Sequence, residues 1–223
     1  MHLALPGECK MVKKKLAGQE FIFLVQYLER LLNWKLWIDK AEELLAGARA
    51  LEPHVRSLWE VIEANFKEGR YSKGGESPHQ LPQNLQGAYF MLVAYALENL
   101  FKAMIIWEHQ DTLRNQVLST GGKLPAIAKD HDLIRLAKEA HFVIDVGNED
   151  LLTRLRWNSV WAGRYPLPVE CGGLKNVKVY SDGKGYLTAY FSPNDIDRLN
   201  TLVQRVKTHV TNALNSPELP MSQ

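Results

Sequence analysis

The chain has 223 residues, of which 46% are hydrophobic and 23% charged, a composition typical of a globular protein large enough to bury a full core. Its 27 Lys and Arg residues nearly balance 25 Asp and Glu residues, which leaves a net charge of +2. This charge gives no overall electrostatic reason to expect DNA wrapping or an acidic substrate, but it does not exclude a local basic patch. Cys9 and Cys171 are the only cysteines, which excludes a disulfide scaffold and a four-cysteine zinc site and fits a reducing compartment.

The N-terminal part of the chain lacks the patterns of membrane insertion and export. Residues 21–38 are its most apolar stretch, but Glu29, Arg30 and Lys35 interrupt it, which argues against a transmembrane helix. Lysines at 13–15 precede polar residues rather than an apolar run, unlike a signal peptide. Lysines before an amphipathic helix also suit a peripheral membrane protein, but packing in a bundle explains the same apolar face. We therefore expect a cytoplasmic protein without a membrane partner.

Two helices are predicted before residue 68. Apolar side chains recur with a period close to 3.6 between residues 17 and 50, which predicts one long amphipathic helix. Pro53 suits the first turn of a second helix, and Gly69 can end it, so residues 17–67 are interpreted as a helical hairpin. The Gly-, Ser- and Pro-rich residues 68–83 then predict a mobile connector.

The strongest helix signal lies further along the chain. Residues 85–107 are apolar on most sides, so this helix is expected at the centre of the fold. Asp132 can cap a helix that begins at Leu133. Residues 151–161 predict another helix, which Gly163 and a following proline can end.

The pattern changes near the C-terminus. Residues 175–191 alternate between apolar and polar positions around an Asp-Gly turn signal, which predicts a β-hairpin. A Ser-Pro-Asn-Asp sequence then opens a last helix over residues 192–212, and 213–223 are expected to form a flexible tail. The predicted fold is mainly all-α, an up-and-down bundle of five to six helices with one inserted β-hairpin. It forms a single domain over residues 1–212.

Most catalytic and metal-binding signatures are absent from the sequence. It has no glycine loop before a lysine for phosphate binding, no paired histidines at metal-ligating spacing and no glycine-flanked nucleophilic serine. His109 and His131 lie among aspartates, but their spacing defines no ligand set. We therefore expect no cofactor and no metal site. The missing motifs make enzymatic activity less expected but do not exclude it.

Three segments carry a resemblance to a known family. Residues 88–103, AYFMLVAYALENLFKA, form an aromatic-rich run that leads to Glu98 and, four residues later, Lys102. His131-Asp132-Leu133 follows, and then Arg156 through Gly163-Arg164-Tyr165-Pro166. In this order the segments resemble the signature helix, HDL segment and RYP-type segment of the HEPN superfamily, so residues 84–168 are interpreted as a HEPN-like core. The resemblance implies a helical bundle, homodimerisation, and roles in nucleotide binding, RNA cleavage, or toxin–antitoxin and phage-defence systems.

The catalytic motif of active HEPN ribonucleases is altered at the expected position. Those enzymes carry Arg-x4–6-His, in which arginine holds phosphate charge and histidine transfers protons. Here Arg156 begins the motif, but Trp161 stands where the histidine is expected, and an indole cannot exchange protons near neutral pH. Arg135 and His141 match the formal spacing, but they lie on the preceding predicted helix, where a solvated arginine and a helix-end histidine are the simpler interpretation.

Several residues remain candidates for ligand binding. Guanidinium groups bind phosphate or carboxylate bidentately, and nearby Asn and Tyr side chains can orient a ligand. The candidates of this kind are Arg154, Arg156, Asn158, Arg164 and Tyr165. A secondary set is Glu98, Lys102, His131 and Asp132, which fit a structural ion pair and a helix start more simply than a site.

The preferred hypothesis is a non-catalytic, HEPN-like binding or regulatory protein. It would form a homodimer and recognise a nucleotide, an RNA phosphate or a protein partner such as a nucleotidyltransferase. The alternative is an active, metal-independent HEPN endoribonuclease that uses Arg156 with His141. Tryptophans at helical spacing are interpreted as core or dimer-interface residues rather than as base-stacking platforms.

Overall fold

The structure, a computed structural model, describes residues 18–162, 177–179, 185–187 and 191–215. Helices account for most of these residues, which confirms the prediction of a mainly all-α protein. The helices are α1 (Gly18–Leu32), α2 (Trp34–Lys67), α3 (Gln86–Glu108), α4 (Gln110–Ser119), α5 (Ala126–Lys129), α6 (Leu133–Glu139), α7 (Val146–Trp157) and α8 (Pro193–Asn215), with a π-helical turn (Asn158–Ala162) after α7.

Helix α3 lies at the centre, as its sequence predicts. Side chains on all of its faces are buried, among them Tyr89, Phe90, Leu97 and Phe101. Helices α2, α6, α7 and α8 and the π-helical turn all pack against it. Within the described part of the chain, α3 is also the one helix long and apolar enough to cross a membrane, but 72% of its apolar window is buried inside the fold. Its composition is therefore explained by the core.

The boundary between the first two helices differs from the prediction. The break falls at Asn33, whose side chain accepts a hydrogen bond from the N–H of Lys35, and α2 then runs without interruption through Pro53. Proline lacks an N–H group, so Pro53 cannot donate the helical hydrogen bond to the carbonyl oxygen of Arg49, and both residues are exposed. Buried residues on both sides of the proline keep the helix continuous; they are Ala41, Leu45, Ala48, Val55, Leu58 and Trp59.

The predicted helical hairpin over residues 17–67 is also wrong. Helix α2 packs along α3, whereas α1 packs against α4 and the C-terminal part of α3. A second, smaller apolar cluster holds α1 in place; it comprises Leu24, Leu31, Leu32, Ile106, Leu113, Val117 and Ala128. The apolar stripe of α1 therefore covers a different surface from the stripe of α2.

Two short strands lie in the region where the sequence predicts a hairpin. Strand β1 (Val177–Val179) pairs antiparallel with β2 (Gly185–Leu187), and Val177 lies opposite Leu187. The predicted Asp182-Gly183 turn lies outside the described residues. Helix α8 continues to Asn215, three residues past the predicted end at 212, and the rest of the predicted tail lies outside the described residues.

Candidate functional site

Glu98 and Lys102 form a buried ion pair on α3. They lie one helical turn apart, and their side chains are 7% and 3% exposed. The Lys102 ammonium donates to Glu98 Oε1 at 2.7 Å and to the carbonyl oxygen of Ala128 at 2.9 Å. It also lies 5.9 Å from the centre of the Trp37 ring. The carboxylate is therefore fixed from inside the fold, which a buried charge requires.

The second oxygen of Glu98 orients a histidine at the surface. His131 Nδ1 lies 2.9 Å from Glu98 Oε2, and the imidazole is 53% exposed. A carboxylate accepts hydrogen bonds only, so Nδ1 carries the proton in this contact. In the neutral ring Nε2 then holds a lone pair, and it has no hydrogen-bond partner among the described residues. This arrangement presents an oriented acid–base group to solvent.

Two arginines are tied to the residues on either side of His131 in the sequence. Arg135 Nε donates to Asp130, and Arg156 Nη1 lies 2.9 Å from Asp132 Oδ2. Both guanidinium groups are more than half exposed. Burial raises the pKa of Asp130, but the hydrogen bonds and charge of Arg135 outweigh burial and lower it, so this carboxylate stays ionised.

The backbone around His131 is fixed by local hydrogen bonds. Asp130 Oδ1 accepts from the N–H of Asp132 at 2.9 Å. Asp132 caps α6 as predicted, because its Oδ1 accepts from the N–H groups of Ile134 and Arg135 at 3.1 and 3.2 Å. The two aspartates that flank His131 thus hold the turn between α5 and α6, and with it the position of His131. We call Glu98, Lys102, His131, Arg135 and Arg156 the His131 cluster.

The structure separates Arg154 from this cluster. Its guanidinium lies in the interior, where it donates to both carboxylate oxygens of Asp195, at 2.7 and 3.0 Å, and to Asp150 at 2.8 Å. Its Cζ atom also lies 4.8 Å from the ring centre of Phe191. Arg154 therefore connects α7 to α8. These contacts with carboxylates, together with a side chain that is 11% exposed, give Arg154 a structural role.

The pKa of Asp195 gives this ion pair a measurable pH dependence. Burial raises the pKa of Asp195, but Arg154 and the Ser192 N–H outweigh burial and lower it to about 2. Because the folded pKa lies below the unfolded value, the stabilisation is complete above about pH 4 and is lost as the pH falls toward 2, an effect of about 2 kcal/mol. We expect urea unfolding to show a steeper loss of stability with acid in the wild type than in Asp195→Asn. Parallel pH profiles would contradict this assignment.

Asn158 is turned inward. It is 4% exposed, and its side-chain amide donates to the carbonyl oxygen of Arg154 at 3.4 Å. Asn158 thus takes part in the π-helical turn, and its role in binding stays a prediction. The side chain of Trp161, and Arg164 and Tyr165 entirely, lie outside the described residues.

The alternative catalytic residues, Arg156 and His141, pair with different carboxylates. His141 follows α6 with a left-handed φ of 53°, and its Nε2 lies 3.3 Å from Glu108 Oε1. Arg135 and Arg156 are paired with Asp130 and Asp132 instead. The structure thus places His141 at a helix end with a carboxylate partner of its own. The described residues contain no group of three or more His, Cys, Asp or Glu side chains that could hold a metal ion.

Sequence reasoning missed the residues that hold the arginines in place. Asp150 lies four residues before Arg154, a spacing that a helical ion-pair search finds. Asp195 lies 41 residues from Arg154, so no local signal links them.

Comparisons with protein-family models, curated proteins and solved structures return no match.

Proposed function

We propose that the exposed part of the His131 cluster binds a phosphate group of a nucleotide or of RNA. The observation that carries the proposal is the attachment of two exposed arginines, Arg135 and Arg156, to the residues flanking an exposed histidine. A guanidinium has five N–H donors, and the contact with one carboxylate leaves several of them for a ligand. Phosphate oxygens are among the acceptors with which such groups form strong, charge-assisted hydrogen bonds.

The resemblance to the HEPN superfamily suggests a biological role for a phosphate-binding surface. Lys102 and His131, which carry part of the resemblance, each contact Glu98, which also belongs to it. The proposed protein is a cytoplasmic, homodimeric binding or regulatory module of a toxin–antitoxin or phage-defence system, with a partner such as a nucleotidyltransferase. The cluster recognises its ligand by contacts with phosphate rather than with base edges, because its exposed polar groups are cationic or imidazole side chains.

Binding of a fluorescein-labelled single-stranded RNA of about 12 nucleotides tests the proposal. Fluorescence anisotropy at several salt concentrations gives the Kd and its salt dependence. We expect Arg156→Gln and Arg135→Gln each to raise Kd by about fivefold to tenfold. Each should also reduce the slope of log K against log salt by about 0.7, the value for one lost phosphate contact on a single strand. Arg156→Lys should restore part of the affinity, because it keeps the charge.

Lys67→Gln is the matched control. Lys67 is 73% exposed at the end of α2 and pairs with Glu63, so its removal changes the net charge equally without touching the cluster. If all three neutral variants lowered the affinity for RNA equally, binding would depend on the net charge of the protein alone and not on the cluster. Absence of RNA binding by the wild type, together with absence of ATP binding in a direct calorimetric titration, would refute the phosphate-binding function.

Metal-independent RNA cleavage is the second candidate, and the contact between Glu98 and His131 favours it. A histidine oriented by a buried carboxylate can take the proton of a ribose 2′-hydroxyl. The same mixtures, incubated with a metal chelator and separated on a denaturing gel, decide between the candidates. Cleavage that His131→Gln reduces by about 100-fold or more would assign a ribonuclease. If the RNA stays intact, the cleavage candidate is excluded and phosphate binding stands as the proposed function.

A further inference from the structure

A groove with a volume of about 830 Å³ lies between α2 and α8, and α3 forms its floor. This volume is within the range of small-molecule sites. Its apolar surface comes from Leu45, Ala48, Val93, Phe142 and Val203. None of the residues lining it belongs to the His131 cluster.

Polar contacts connect α2 to α8 along the groove. Arg56 pairs with Asp197 at 2.6 Å, and the side chain of Asn200 donates to Glu52 at 3.3 Å. Further along the two helices, Lys207 Nζ lies 2.5 Å from Glu42 Oε1. These contacts tie the two helices that form the walls of the groove to each other.

A buried hydroxyl without a partner lies in the floor. Tyr89 is 1% exposed, and its hydroxyl makes no hydrogen bond among the described residues. Burial, with a contribution from the charge of Glu52, raises the pKa of Tyr89, so the hydroxyl stays protonated and can donate. An unpaired buried hydroxyl costs free energy, and a ligand acceptor in the groove would remove that cost.

The charged lining residues favour an anion. Glu52 is paired with Arg56, whose guanidinium lies 2.7 Å from it. Arg205 is held by Asp145 at 2.6 Å. Arg49 is exposed at the rim and has no ion-pair partner among the described residues. The groove therefore offers an apolar surface, one buried neutral donor and one uncommitted cation.

We propose that the groove between α2 and α8 binds a small organic anion with an apolar ring or chain. The apolar body lies on Val93, Val203 and Phe142, an acceptor oxygen takes the hydrogen bond of Tyr89, and the negative charge faces Arg49. This site is separate from the proposed phosphate-binding surface and does not depend on it.

The test uses two naphthalene probes of similar size and opposite charge, 1-naphthylacetate and 1-naphthylmethylammonium. Calorimetric titration of the full-length protein gives Kd, and the shift in Tm gives an independent readout. We expect the anion to bind and to raise Tm, and the cation to bind at least tenfold more weakly. Tyr89→Phe and Arg49→Gln should each weaken binding of the anion by about fivefold, the factor that corresponds to about 1 kcal/mol for one hydrogen bond or exposed charge contact.

The variants are chosen to keep the fold. Tyr89→Phe removes an unpaired hydroxyl and keeps the ring, so Tm without ligand should not fall, and Arg49 is exposed. Lys67→Gln is the control for net charge and should bind the anion as the wild type does. The proposal is overturned if the anion fails to bind at millimolar concentration, if the cation binds equally well, or if both groove variants bind like the wild type.

Discussion

Replacing Arg154 with leucine is expected to lower the free energy of unfolding by about 3–5 kcal/mol. The substitution removes the main partner of Asp195, whose side chain is 3% exposed, and leaves its charge in the interior. Arg198 still reaches Asp195 Oδ1 at 2.6 Å, but Arg198 is 44% exposed and is less able to compensate for a buried charge. Urea unfolding at neutral pH and one protein concentration measures the effect.

Arg114→Leu provides the matched control for this prediction. Arg114 pairs with Asp111 at 3.2 Å, and Asp111 is 91% exposed, so loss of this surface pair should cost at most about 1 kcal/mol. Arg156→Gln should likewise change stability little, since Arg156 is 52% exposed. Similar losses for Arg154→Leu and Arg156→Gln would contradict the division between a structural and a ligand-binding arginine.

Lys102→Met is the second substitution expected to destabilise the fold by about 3–5 kcal/mol. Methionine matches the apolar part of lysine, but it leaves the buried carboxylate of Glu98 with His131 as its remaining side-chain partner. The Ala128 carbonyl oxygen also loses a donor. Chemical unfolding followed by circular dichroism gives the size of the loss.

The double variant Glu98→Gln/Lys102→Met separates loss of charge balance from loss of packing. It removes both charges, so it should be more stable than Lys102→Met alone, with a coupling energy well above the about 0.5 kcal/mol typical of independent sites. A double variant as unstable as the sum of its single variants would show that the ion pair is not coupled. Asp39→Asn, on the adjacent α2, has no ion-pair partner among the described residues and controls for a change of one charge.

The same local signals explain where sequence reasoning succeeded and where it failed in the helices. The central position of α3 follows from its apolar residues on all faces, and the start of α6 follows from Asp132, because both signals are contained within a few turns of helix. The Pro53 signal is just as local, yet α2 continues through it. Packing of buried residues on both sides of Pro53 against α3 outweighs one missing hydrogen bond, and a local pattern does not contain that packing.

Contacts with a distant residue also act on the connector after α2, in addition to its own local sequence. Its Gly-, Ser- and Pro-rich composition predicts a mobile segment, but Asn65, which is completely buried, holds it. The Asn65 amide donates to the carbonyl oxygen of His79 at 3.3 Å and accepts from the His79 N–H at 2.7 Å. A paired amide 14 residues away fixes a loop whose own residues favour disorder.

The sequence alone singled out Glu98, Lys102, His131 and Arg156 as candidates by type and order, but tertiary structure decided which contacts each one makes. Arg154 and Arg156 illustrate the reason. Two residues apart on a helix, they project about 200° apart, so they must face nearly opposite sides. The sequence does not say which side is covered. Helix α8 brings Asp195 against Arg154, while the turn before α6 brings Asp132 to Arg156 at the surface. Because both partners lie far along the chain, only the packing of these elements assigned one arginine to the core and the other to the proposed site.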